Sequence, residues 1–190
     1  PPETVVTLLS FAYALALPHV LASAAALLLE RDRVRFSLVQ ALWMTVAPLM
    51  LFNNWLSLAA LDGAVWTPRL TFEAFLFGVA QYVGCVLVSP RTEPGGEIDM
   101  AAHHSRNGRL FKGVFIIIGL AAMIGNIRHA GLFGRGPLEA LVSQWPVVVI
   151  IGLTVLSLWR RDRWLQIPVA VLLILLMLAM SGLAVYGIML

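Results

Sequence analysis

Asp99, His103, His104, Arg106 and Arg109 crowd into one short stretch the side chains that acid–base chemistry or phosphate recognition requires. A carboxylate and an imidazole can pass a proton between them, and guanidinium groups grip anionic oxygens in pairs. The spacing predicts a helix from Met100 toward Phe111 with Asp99 as its N-cap, downstream of the chain-breaking Pro94-Gly95-Gly96. On it His103, Arg106 and Lys112 fall near one face and Arg109 lies closer to His104, while Gly108 weakens the middle. Adjacent histidines diverge by ~100° on a helix. Neither has a histidine or carboxylate four residues on, so the paired-ligand geometry of a zinc helix is missing and no metal ligand is assigned. Bis-histidine haem would need a membrane-depth mate for His19, which this chain lacks. Asp99, His103, His104 and Arg106, four polar residues in a loop, make a thin case for catalysis, so no catalytic residue is assigned either. His103, His104, Arg106 and Arg109 are read as contacts for anionic headgroups, against the plainer reading of a solvated cationic surface.

The elements that must position this stretch are six apolar runs: Val5–Leu29, Phe36–Leu61, Thr71–Ser89, Leu110–Asn126, Leu138–Trp159 and Trp164–Leu190. At ~1.5 Å per residue each reaches across a hydrocarbon core of about 30 Å, the fourth only just. The chain of 190 residues is 60% hydrophobic and 12% charged, against about 25% charged in a soluble domain. One domain is expected, dissolved mainly in lipid. Backbone groups in hydrocarbon must be satisfied within their own segment, so the fold class is all-α; a barrel would need alternating runs, and Val169–Met180 shows none. The single Cys85 forms no internal disulfide, and the first run, with no basic stretch before it, reads as a span and not a signal peptide.

Charge orients the spans. Ten of the thirteen Lys and Arg residues fall in three alternating loops: Arg31, Arg33 and Arg35; Arg91, Arg106, Arg109 and Lys112; Arg160, Arg161 and Arg163. Only Arg69, Arg128 and Arg135 fall elsewhere. The positive-inside rule places the three rich loops in the cytoplasm of a bacterial inner membrane, with both termini outside. The net charge of +3 then belongs to span flanks and headgroups, and nucleic acid is not an expected partner. Trp66, Trp145, Trp159 and Trp164 lie near the expected interfaces and are assigned to anchoring.

The stretch Asp99-x-x-x-His103-His104-x-Arg106-x-x-Arg109-x-Phe111 resembles a segment of small uncharacterised bacterial six-helix membrane proteins. Theirs carries Asp-Leu-x-x-His-Tyr before an Arg-rich turn and aromatics. Here His104 stands in place of the Tyr, and Phe111 and Phe115 are the aromatics that remain. The resemblance implies a multi-pass helical protein and brings no activity with it.

Polar residues inside the spans are few. Span one spaces Ala12, Ala16, His19, Ser23 and Ala26 as a seam of small residues, and span three repeats it with Ala74, Gly78, Gln81, Cys85 and Val88. His19 and Gln81 are therefore expected as an interhelical pair near the midplane, a packing contact before a proton relay or pore lining. Asn53 and Asn54 lie in the outer half of span two. Asn53, Ser57 and Ala60 are expected to meet Gly119, Ala122 and Asn126 of span four, as packing amides before an outward vestibule. Span six has no polar side chain between Pro168 and Ser181, so one face must meet lipid or another protein.

These features describe an accessory or scaffold subunit that packs with other membrane proteins or with itself. A homo-oligomeric channel or passive transporter for an ion or small solute is the alternative, and an enzyme acting on a lipid headgroup at the cytoplasmic face the third; the reading leans away from an enzyme. No cofactor is expected. A lipid, quinone or pigment against span six would leave no motif, because such contacts are mostly apolar.

Overall fold

The computed structural model describes residues 2–59, 67–91, 96–133, 136–160 and 162–185. The fold is almost wholly helical. Its long helices are α1 (Pro2–Leu29), α2 (Leu38–Ala59), α3 (Pro68–Val88), α4 (Met100–Arg128), α6 (Trp145–Trp159) and α7 (Arg163–Val185), with a short α5 (Pro137–Ser143) before α6. Pro68–Val88, Met100–Arg128 and Arg163–Leu183 are long and apolar enough to cross a membrane. Helices α1, α2 and α7 continue through Pro18, Pro48 and Pro168, a tolerance that packed neighbouring helices provide.

The ends of the helices follow local chemistry. Thr67 caps α3, its hydroxyl accepting from the Leu70 amide at 3.2 Å, with Pro68 in the first turn where a missing N–H costs nothing. Asp99 caps α4 as the spacing predicts, accepting from the Ala102 amide at 2.8 Å. That amide, with Arg35 nearby, holds the Asp99 carboxyl below its usual range. Helix α4 then runs unbroken through Gly108. The apolar run 138–159, expected as one span, is instead two helices that break at Gln144. Pro146 follows the break: it has no amide to give to Val142, and its ring crowds that carbonyl. This weakens the helix here, although Pro18, Pro48 and Pro168 are accommodated within theirs.

The helices alternate in direction. Helix α2 lies against α1, α3, α4 and α7, and α4 packs between α3 and α6, with α6 beside α7. The N-terminal part of α4 gathers the starts of α2 and α7 and the ends of α3 and α6 at one end of the bundle. A two-residue parallel ladder adds to this end. Strand β1 (Val34–Arg35) pairs with β2 (Ile98–Asp99), with Val34 opposite Ile98 and Arg35 opposite Asp99. The Arg35 guanidinium meets the Asp99 carboxylate at 3.1 Å, and Arg33 donates to the Gly96 carbonyl. The first and second of the arginine-rich loops are thereby stitched together. Glu73, near the start of α3, meets Arg69, Arg128 and His129 at the other end.

The core is aromatic and central. Trp43 on α2 is wholly buried against Phe111 and Phe115 of α4, with ring centroids 5.7 and 6.3 Å away. Close helix contacts need glycine at two places. A Cβ on Gly84 of α3 would stand 2.8 Å from the Phe115 ring, and one on Gly119 of α4 would stand 2.9 Å from Ile151 of α6. Trp145, Trp159 and Trp164 are exposed, and Trp66 lies outside the described residues.

Candidate functional site: a basic cleft at the end of the bundle

The site grows from the polar stem of α4. His103 and His104 diverge as adjacent helical residues must. His103 faces α3, its Nε2 donating to the Leu87 carbonyl at 3.1 Å while Asn107 donates to its Nδ1 at the same distance. Both ring nitrogens are used, in the neutral Nε2–H tautomer, so His103 is a staple between helices. His104 faces α2. Gln40 there donates its amide to the Val88 carbonyl, which turns Oε1 toward His104 Nδ1 at 3.0 Å. Nδ1 must carry the proton, which leaves Nε2 uncommitted. Gly108 lies one turn on, and a Cβ there would come into contact with Nε2 at 3.4 Å.

One turn further, Lys112 is buried to 3% exposure. Its ammonium donates to Gln166 Oε1 of α7 at 2.5 Å, reaches the Ser157 carbonyl of α6 at 3.4 Å, and lies 4.8 Å over the Trp43 ring. Gln166 in turn donates to the Ser157 and Arg160 carbonyls, where the last turn of α6 leaves acceptors unmatched. The negative end of the α6 dipole thus partly balances Lys112. Around these residues opens a cleft of about 220 Å³, whose charged lining is Arg109, Lys112 and Arg163, with His104 beside them and the hydroxyls of Ser37, Ser105 and Ser157. Among the described residues no carboxylate lines it.

Of the expected headgroup contacts, His104 and Arg109 line the cleft, His103 is turned to α3, and Arg106 is exposed outside the lining. Lys112, Gln166, Arg163 and Gln40 were not expected there. Lys112 did carry a signal, because a lysine inside the apolar run Leu110–Asn126 is expensive unless it has a role. Gln166 and Gln40 carried none, since only the fold shows which carbonyls they meet.

The polar residues expected within the spans find other partners than their spacing suggested. Gln81 donates to the Tyr13 hydroxyl at 2.8 Å, while His19 is exposed with its ring 6.2 Å from that of Tyr82. The expected His19–Gln81 pair is not formed. Helix α1 turns Tyr13, Ala16 and Val20 inward, a stripe rotated from the one drawn through His19. The matching seam on α3 is buried throughout. Asn53 does not reach α4; it donates to the Leu49 carbonyl and, at 3.1 Å, to the Met177 carbonyl of α7. Asn54 is half-buried, and its amide nitrogen has no partner among the described residues. Asn126 donates to Gln144 at the break before α6, Ser57 is exposed, and Ala60 lies outside the described residues. A double-mutant cycle of Tyr13→Phe with Gln81→Leu should show a coupling of about 0.6 kcal/mol, the membrane average. The same cycle with His19→Leu should show none, and the reverse outcome would restore the original pair.

Fold and cleft together define a helical bundle with three membrane-length apolar helices and a cationic recess at one end. Comparison with protein-family models, curated proteins and solved structures gives no match.

Proposed function

We propose that this chain is a multi-pass protein of the bacterial inner membrane that acts as an accessory or scaffold subunit, packing with other membrane proteins or with copies of itself. In this reading it crosses the bilayer six times, with both termini on the non-cytoplasmic side. The gathering of the arginine-rich loops at one end of the bundle supports that orientation, because the positive-inside rule acts on such loops.

One observation carries the scaffold reading: most of the amides among the helices, Asn54 apart, are spent on holding the bundle together. Gln40 ties α2 to α3 and α4, Asn53 ties α2 to α7, Gln81 ties α3 to α1, and Gln166 ties α7 to α6 and α4. Several hydroxyls, those of Thr154 and Ser181 among them, bond back to the carbonyl one turn earlier in their own helix. A polar path through a single chain would need these groups free. Outward, α7 presents Leu172, Leu175 and Leu178 to whatever covers it, lipid or protein.

Native mass spectrometry of complexes released gently from the source membrane tests this. A heteromeric mass is the expected result. A pure homo-oligomer that passes ions in liposomes, with flux lost in Asn53→Leu or Gln81→Leu, would make the chain a conduit. Turnover of a lipid that disappears in His104→Ala would make it an enzyme.

A further inference from the structure

We propose that the cleft between α2, α4, α6 and α7 binds a phosphoryl group, held by Lys112, Arg109 and Arg163 and met by His104. The inference stands apart from the scaffold reading, since it rests on the cleft alone.

A buried ammonium ordinarily has a carboxylate, because desolvating a cation costs several kcal/mol unless an opposite charge meets it. Lys112 has none. Its neighbours are an amide oxygen, a backbone carbonyl and the face of Trp43, and the α6 dipole offers about half a charge at most. Arg109 and Arg163 add two permanent cations to the lining, and neither forms an ion pair among the described residues. A cleft lined by one sign of charge with low-dielectric walls concentrates the opposite ion. Negative charge is therefore the component the site lacks.

Shape and hydrogen bonding narrow the anion. An ammonium has three donors, and two on Lys112 are engaged by Gln166 and Ser157, which leaves one for a ligand. Two guanidinium groups offer paired donors suited to tetrahedral oxyanions. His104 Nε2, whose ring partner Nδ1 is engaged by Gln40 and which has no hydrogen-bond partner among the described residues, can accept from a protonated phosphate oxygen. The cleft of about 220 Å³ would hold ~7 waters at ~30 Å³ each, more than a lone carboxylate needs. A phosphate with the first atoms of its carrier suits that space. The carrier is either an anionic phospholipid or a free phosphate compound.

Two probes separate these sources, with the full chain in nanodiscs. Inorganic phosphate is titrated calorimetrically into phosphatidylcholine discs, and retention of phosphatidylglycerol from doped discs is read by native mass spectrometry. Binding in the first assay assigns a soluble source, and retention in the second alone assigns a lipid. In either case Arg109→Gln with Arg163→Gln, both exposed positions, should weaken binding about tenfold or more. Lys112→Met, which keeps most of the packed stem, should abolish it. Arg106→Gln, exposed and outside the cleft, should leave it unchanged. The proposal falls if neither probe binds, if the double variant binds like the parent chain, or if Arg106→Gln weakens binding as much as the cleft variants do. Because the two arginines are exposed, the test holds even if Lys112→Met does not fold.

Discussion

Trp43→Ala should lower the stability of the folded bundle by about 3 kcal/mol, read by reversible unfolding in mixed micelles. The indole is wholly buried and joins α2 to α4 through Phe111 and Phe115. In lipid, removing it forfeits little transfer energy, because separated helices are already in an apolar solvent. What remains is the cavity and the lost dispersion contacts, which close packing makes expensive. The Nε1–H has no hydrogen-bond partner among the described residues, so no hydrogen bond is lost with it. Trp43→Phe should therefore recover more than half of the loss, since a ring still faces both phenylalanines. It also keeps an aromatic face under the Lys112 ammonium. An alanine variant within about 0.5 kcal/mol of the parent chain, the scatter of neutral surface changes, would mean that α2 and α4 are not held together here.

Gly84→Val comes next, with an expected cost of about 1–3 kcal/mol from overpacking. The first added carbon would already stand 2.8 Å from Cε1 and 3.3 Å from Cδ1 of Phe115, with Val114 at 3.5 Å behind. Phe115 has little room to retreat, since it is buried between α3 and Trp43, with Phe111 5.8 Å away. The clash is thus between a rigid ring and backbone-anchored atoms, and the helices must move apart. Phe115→Leu in the same chain should return part of the loss by replacing the ring with a smaller, more adaptable side chain. A double-mutant cycle reads this directly, and purely additive effects would show that the α3–α4 approach is not set by this contact. Because Phe115 also touches Trp43, the Trp43 and Gly84 losses should not add.

Helix content was legible because it depends on solvent. A chain this apolar has to satisfy its backbone within each segment, and Asp99, placed after a Pro-Gly-Gly break, marked the start of α4 correctly. The break at Gln144 was also legible in principle. Pro146 stands inside the run and marks a place where a helix can break, though Pro18, Pro48 and Pro168 do not break theirs; hydropathy alone joins the two pieces. Partnerships between spans were less readable. Small-residue seams recur on several helices, and a stripe can be drawn through His19 or through Tyr13 with nearly equal merit. A rotation of α1 by about one residue, ~100°, decides between them.

The candidate site divides in the same way. His104 and Arg109 were visible from the density of ionisable groups. Lys112 was counted only with the loop charges, and the expense of a lysine within an apolar run was the signal that such counting passes over. Arg163 and Gln166 lie more than fifty residues further along the chain, and Gln40 more than sixty residues before His104. No local spacing connects them.

By itself, then, the sequence determined the solvent, the helices, most of their ends and the loops that gather positive charge, because each of these is settled within a few turns of chain. The tertiary structure alone decided that Gln81 meets Tyr13, that Asn53 clasps α7, and that Lys112 is buried without a carboxylate at the end of α6. Those outcomes depend on the rotation and neighbour order of packed helices. In an apolar solvent these are set by interlocking shapes and a handful of amides, which a one-dimensional pattern does not record.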